Sequence, residues 1–159
     1  MRRVVIMLSI ALLAITACNK GAEKDETSAG KASAKKEKAN DPHETQKIMG
    51  RQVAEHWLAF GDEGNWESTW DNSSTLFKKN MDKEQWVMKA KAVRDPLGEL
   101  MDRNLVVVKF KTSRPGLPDG DYVIAHFRTR WEHKAQSVET VSVVKESDGM
   151  WRVTGYFIN

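Results

Sequence analysis

The chain has little cysteine: Cys18 is the only one in 159 residues. A single thiol excludes an intrachain disulfide and any zinc site built on cysteines. Long apolar runs are also missing. The stretch from Val4 to Ala17 is shorter than the roughly 20 residues needed to cross a bilayer core. There is no Gly-rich phosphate loop, no Gly-x-Ser-x-Gly elbow and no His-Glu-x-x-His helix. The four histidines are His43, His56, His126 and His133. No two have the spacing that would aim both at one metal from a single element, so no metal site is expected.

What is present at the start is informative. Arg2 and Arg3 precede the apolar run, and small residues lead into Cys18. A basic start, a short apolar core and small residues at the cut are the marks of a secretory signal over residues 1–17. Ile15-Thr16-Ala17-Cys18 resembles the bacterial lipobox. That resemblance implies cleavage before Cys18, a diacylglycerol on its thiol and a further acyl chain such as palmitate on its amine. Each buried methylene contributes about 0.8 kcal/mol, so several chains make a lasting anchor where one does not. Asn19, rather than Asp, follows the cysteine. By the same resemblance the expected address is the outer membrane of the cell envelope, facing the periplasm.

Residues 18–41 read as the lipidated cysteine and a disordered tether. They hold Lys, Ala, Glu, Ser and Gly without a large apolar residue, too little to offset the entropy of ordering. A flexible chain of this length spans about 25 Å on average. Residues 42–159 form one globular domain. Its 17 Lys and Arg balance 17 Asp and Glu, which leaves the overall basic charge to the signal and the tether. A neutral domain lacks the basic footprint of a nucleic-acid binder.

Within the domain, Met49, Val53, Trp57 and Phe60 recur at helical spacing and predict a first helix over Glu44–Phe60. A short second helix carries Trp66 and Trp70, interrupted at Asp71-Asn72-Ser73-Ser74. Asp82 starts a third, with Gln85 as capping partner and Trp86, Ala90 and Val93 facing inward. From Glu99 the pattern becomes strand-like. Val123, Ala125, Phe127, Thr129 and Trp131 alternate with Tyr122, Ile124, His126, Arg128 and Arg130. A third strand spans 136–145. Ser147-Asp148-Gly149 makes a hairpin turn into a last strand, 150–158, with Trp151, Val153 and Phe157 on one side. The fold class expected is α+β: three N-terminal helices packed on a curved four-stranded antiparallel meander.

Several motifs share an order with one bacterial family. They include Trp57-Leu58, Gly64-Asn65-Trp66, Arg94-Asp95-Pro96-Leu97-Gly98 and the segment Ser113-Arg114-Pro115-Gly116-Leu117-Pro118-Asp119-Gly120. Val138-Glu139-Thr140-Val141 and Asp148-Gly149-Met150-Trp151-Arg152-Val153 continue it. Together they resemble domain-of-unknown-function family 4019 over residues 44–159. The resemblance implies a small exported or lipid-anchored protein and offers no catalytic residues. The order of elements also resembles the nuclear-transport-factor-two-like or cystatin-like cone, where a curved sheet wraps a helix. The short strand and extra helix that such cones often insert are missing here, which implies a pocket that is shallow or absent.

The polar constellation with most chemical content is on the sheet. Arg128, Glu139 and Tyr156 form the candidate ligand pocket, with Arg152 expected on the face of Tyr156. The plainer reading is a cross-strand ion pair worth about 0.2–1 kcal/mol. Asp62, Glu63, Asp71 and Asn72 read as turn and cap residues, and Trp131 as the tryptophan most open to solvent. No cofactor is expected. The function expected is a non-enzymatic, lipid-anchored envelope module. Its partners would be the membrane, through Cys18, and an envelope protein or wall component. The alternative is a small-ligand-binding or enzymatic pocket on the sheet.

Overall fold

The computed structural model describes residues 41–159. The signal 1–17, Cys18 and the tether up to residue 40 lie outside the described residues. The order is α1 (Glu44–Asp62), α2 (Trp66–Asp71), α3 (Thr75–Asn80), α4 (Lys83–Arg94) and a 3-10 turn, Asp95–Leu97. Four strands follow: β1 (Leu100–Lys111), β2 (Tyr122–Trp131), β3 (Ser137–Lys145) and β4 (Trp151–Ile158). They form one antiparallel sheet in the order β1-β2-β3-β4. The fold is α+β, with the helices on one face of the meander.

The interrupted second helix is two helices. Asn65 caps α2 by accepting from the Ser68 amide at 3.1 Å. Ser74 caps α3 and accepts from the Phe77 amide at 3.1 Å. A hydroxyl or amide oxygen at the N-cap satisfies an amide that the first turn leaves free. Asp82 does the same for α4, accepting from Gln85 at 2.8 Å.

Helix α1 meets the sheet through its small residues. Gly50, Ala54, Trp57, Leu58 and Gly61 are buried, whereas Met49 is exposed. A Cβ on Gly50 would collide with the side chain of Val123, so helix and β2 approach as closely as they do only because position 50 has no side chain. Of the expected stripe Met49, Val53, Trp57 and Phe60, only Trp57 is fully buried, and the others run along the flank of the helix. The inner face of α4 is also rotated. Trp86, Ala90 and Arg94 are buried, and Val93 is half exposed.

The alternation on β2 holds: Val123, Ala125, Phe127, Thr129 and Trp131 are all buried. On β4 it breaks. Ser142 pairs with Gly155 and Val143 with Val153, so Thr154 is an extra residue. A bulge of this kind sends the following side chains to the opposite face. Tyr156 turns inward opposite Val141, and Phe157 turns outward, 62% exposed. The expected grouping of Phe157 with Trp151 and Val153 is corrected by that one residue. So is the grouping of Tyr156 with Arg152.

The long link between β1 and β2 folds back over the outer face of the sheet. The Tyr122 hydroxyl donates to Pro118 O at 2.6 Å, and Arg114 donates to Ser142 Oγ at 2.7 Å. Tyr122 is buried on this side by the link rather than by a helix. At the far hairpin, Arg152 binds Glu146 at 2.7 Å and Asp148 at 2.8 Å. Burial works against the charge on Glu146. Hydrogen bonds from Thr75 and Arg152 nevertheless hold its carboxyl below the usual range.

Candidate functional site

Glu139 is the one buried carboxylate of the sheet, with 0% exposure. Such a charge must be paired and hydrogen-bonded to persist. It is. Its Oε2 accepts from Arg103 Nε at 2.6 Å and from the Thr129 hydroxyl at 2.8 Å. Its Oε1 accepts from the Tyr156 hydroxyl at 2.5 Å and from Arg103 Nη2 at 3.3 Å. Arg103 also forks onto Asp62, at 2.5 Å to Oδ2 and 2.9 Å to Oδ1. Arg94 Nη2 donates to the same Oδ1 at 3.0 Å. Arg94 Nη1 sits 3.5 Å from Glu139 Oε1, an ion-pair distance without hydrogen-bond geometry.

Two guanidiniums and two carboxylates thus close a neutral network at one end of the sheet. The indole of Trp131 forms its floor, with the Arg94 guanidinium 3.8 Å from the ring centre. A cation over an indole face is attracted by the ring quadrupole. Trp131 itself is buried and donates to Ser137 Oγ at 2.9 Å, so the expected exposed tryptophan is a core one. Asp62 is the last residue of α1 and Arg94 the last of α4, so both helix ends meet Arg103 and Glu139 here.

The candidate trio divides. Glu139 and Tyr156 are joined directly. Arg128 is corrected: it faces outward, exposed, between Asn104 and Val138 on neighbouring strands. The arginine that reaches Glu139 comes from β1, across β2, because Arg103 lies opposite Thr129 on the inner face. Asp62 belongs to the network rather than to a turn. Sequence reasoning misses Arg94 and Arg103 as members of the site. The spacing from Ala90 to Arg94 is the one sequence signal that places an arginine inward.

Burial and the Glu139 carboxylate push the Tyr156 phenol well above its ordinary range. Burial opposes the Arg103 charge, yet Asp62 and Glu139 hold that guanidinium still more firmly protonated. The consequence for Tyr156 is measurable. Its folded value lies above the unfolded one of about 10, so its contribution to stability is whole below that pH. Above it only the unfolded chain loses the proton, and stability falls by about 1.4 kcal/mol per pH unit from this group. Urea midpoints should therefore show the lead of wild type over Tyr156→Phe shrinking above about pH 10. A lead that stays constant in strong alkali would remove the phenol from the network.

Two open clefts lie elsewhere. One, of about 630 Å³, runs between α1 and the β3–β4 hairpin over Met49, Val53, His56, Trp57, Met150 and Trp151. The other, of about 680 Å³, lies by Asp102, Arg128, Arg130, Gln136 and Val138. Neither is lined by Glu139, Tyr156, Arg94 or Arg103. Among the described residues, no three His, Cys, Asp or Glu side chains gather as a metal site would require.

Two solved structures are similar to the chain at low identity. One, solved at 2.5 Å, is from Catenulispora acidiphila, with 13% identity, a TM-score of 0.47 and coverage of 72% of this chain and 91% of that one. The other is Aln2 from a Streptomyces species, with 12% identity, a TM-score of 0.46 and coverage of 75% and 91%. No curated protein sequence matches. Residues 53–156 match the family described as "Protein of unknown function (DUF4019)", a span that includes the buried Glu139, its two arginines, Asp62 and Tyr156. The chain belongs to the DUF4019 family.

Proposed function

We propose that the protein is a lipid-anchored component of the bacterial cell envelope whose folded domain is a non-enzymatic binding module. The observation that carries this reading is that the buried network of Asp62, Arg94, Arg103 and Glu139 lines neither open cleft. Acid–base chemistry needs titratable groups within hydrogen-bond reach of a bound substrate. Here the four interacting charges neutralise one another behind α1 and α4. The cleft beside α1 offers Met49 and Met150 instead, with Trp57 and Trp151 beneath them. Flexible, polarisable methionines suit a surface that adapts to a partner.

The lipobox-like segment supports the anchor, and the tether gives the domain its reach. His43, stacked on Phe110 at 4.1 Å, fixes where the chain enters the domain. The cleft lies at that same end, because Met49 is on the first turns of α1. The partner is an envelope protein or a wall component within the radius of the tether.

One experiment tests both parts. A photo-crosslinking residue is placed at Met150 in the full chain, with and without Cys18→Ser. The intact Cys18 chain should fractionate with membranes, carry acyl chains by mass spectrometry and give a discrete adduct on illumination. Cys18→Ser should move it to the soluble fraction and abolish the adduct. An unmodified thiol, or no adduct from Met150, overturns the corresponding half. Saturable thermal stabilisation by a small envelope metabolite would favour the ligand-pocket alternative instead.

A further inference from the structure

The sheet has two edges, and they are treated differently. The edge of β4 is engaged at one point near its start: Ser73 bridges to Val153, and the Ser74 amide donates to Val153 O at 2.8 Å. Among the described residues no segment hydrogen-bonds to the outer edge of β1. That strand is the longest of the sheet, and its middle is apolar and open: Leu105, Val106 and Val107 are exposed, Val106 by 54%. A long, unpaired apolar edge is a template for another strand.

We propose that β1 is an assembly edge, on which two copies of this chain join antiparallel into one continuous sheet. The sequence of β1 is complementary to itself in one register that uses the whole strand. Val106 is an extra residue, since Leu105 pairs with Phe127 and Val107 with His126. The bulge switches the faces, so Asp102, Asn104, Val107, Lys109 and Lys111 point outward and Arg103, Leu105, Val108 and Phe110 inward. With Val107 on the twofold axis, Leu105 lies opposite the partner's Val108 and Asn104 opposite the partner's Lys109. Arg103 lies opposite the partner's Phe110 and Asp102 opposite the partner's Lys111. Residues opposite one another in an antiparallel pair must share a face, and here every pair does.

The charges agree with this register. Lys109 and Lys111 repel an ordinary incoming strand, as edge lysines do. A second copy brings Asp102 to Lys111 at both ends of the interface. Opposite charges directly across a strand pair attract, and like charges repel. The bulge also raises the local twist, which hinders strands without a matching irregularity. The self-paired register places the two bulges symmetrically about the axis. This is an isologous interface, closed at two copies.

The test uses the full-length chain in detergent and in membranes, with the wild-type chain controlling for Cys18. Asn104→Cys mixed with Lys109→Cys should form a disulfide-linked dimer on mild oxidation. Either variant alone, or Asn104→Cys mixed with Lys111→Cys, should form far less. By sedimentation, Lys111→Glu should weaken the dimer about tenfold, because attraction becomes repulsion at both ends. Adding Asp102→Lys should restore it. All these side chains are exposed, so circular dichroism should remain native. A monomer at every concentration, crosslinking indifferent to register, or a double reversal that fails to rescue would each overturn the proposal.

Discussion

Glu139→Ala should lower the unfolding free energy by about 3–5 kcal/mol, the usual cost of removing one partner from a buried ion pair. The melting temperature should fall by roughly 10–20 °C for a domain of this size. The loss exceeds that of the contacts themselves. Without Glu139, two guanidiniums face the single carboxylate of Asp62, and one positive charge is left uncompensated beside Trp131. The Tyr156 and Thr129 hydroxyls lose their acceptor as well. Removing the whole set should cost less than removing one member. Glu139→Leu combined with Arg94→Met and Arg103→Met leaves no buried unpaired charge: Asp62 has access to water, and only the neutral Tyr156 and Thr129 hydroxyls lack their acceptor. That triple variant should regain most of the lost stability, because apolar replacement of a buried ion cluster is often neutral. Chemical denaturation with constant slope decides. If Glu139→Ala costs less than about 1 kcal/mol, the cluster behaves as a solvated surface network.

The contrast between Glu139 and its arginines shows how far a sequence can be read. Glu139 and Tyr156 are legible as a polar pair on neighbouring strands, but their inward face is not, because parity alone groups Tyr156 with Arg152 until the Thr154 bulge is counted. Arg94 and Arg103 were not legible, because an arginine is almost never fully buried unless paired, and the pairing is tertiary. Arg103 finds Glu139 across an intervening strand, a distance that no local pattern encodes. The order of the four strands was legible from turn chemistry, including the Asp148-Gly149 turn, where Gly149 has φ of 80°. The face of Phe157 was not, because Thr154 adds one residue, and the only residue type that hints at a bulge there is the neighbouring Gly155. Helix α1 shows the same limit in another form. Its periodic large residues give the correct helix, but packing centres on Gly50 and Ala54, since backbone proximity rather than side-chain size decides which stripe faces β2. Met49 and Val53 are thereby left to line the cleft.

The second large effect should come from Trp57→Ala, at about 3–5 kcal/mol, the range for deleting a buried aromatic side chain. Trp57 lies where the helical layer, the sheet and the cleft floor meet. Its ring contacts Trp86 at 5.9 Å and Tyr156 at 5.2 Å between centres. Its indole N–H donates to Thr69 O at 2.8 Å and to Ser73 Oγ at 3.1 Å. Trp57→Phe weights these roles differently, because it deletes the donor while keeping most of the apolar volume. Thr69 O still accepts from Ser73 Oγ at 2.7 Å, so no acceptor is stranded, and the cost should be about 1–2 kcal/mol, the lost hydrogen bond plus the small volume removed. The local consequence is different. Ser73 and Ser74 engage the edge of β4, so loss of the indole donor should speed hydrogen exchange at the Ser74 amide in both variants. Global unfolding should be eased strongly in the alanine variant alone. Equal stability losses in the two would assign the effect to the hydrogen bonds and leave the ring no special part in the core. Unchanged exchange at Ser74 would separate the indole from the engaged edge.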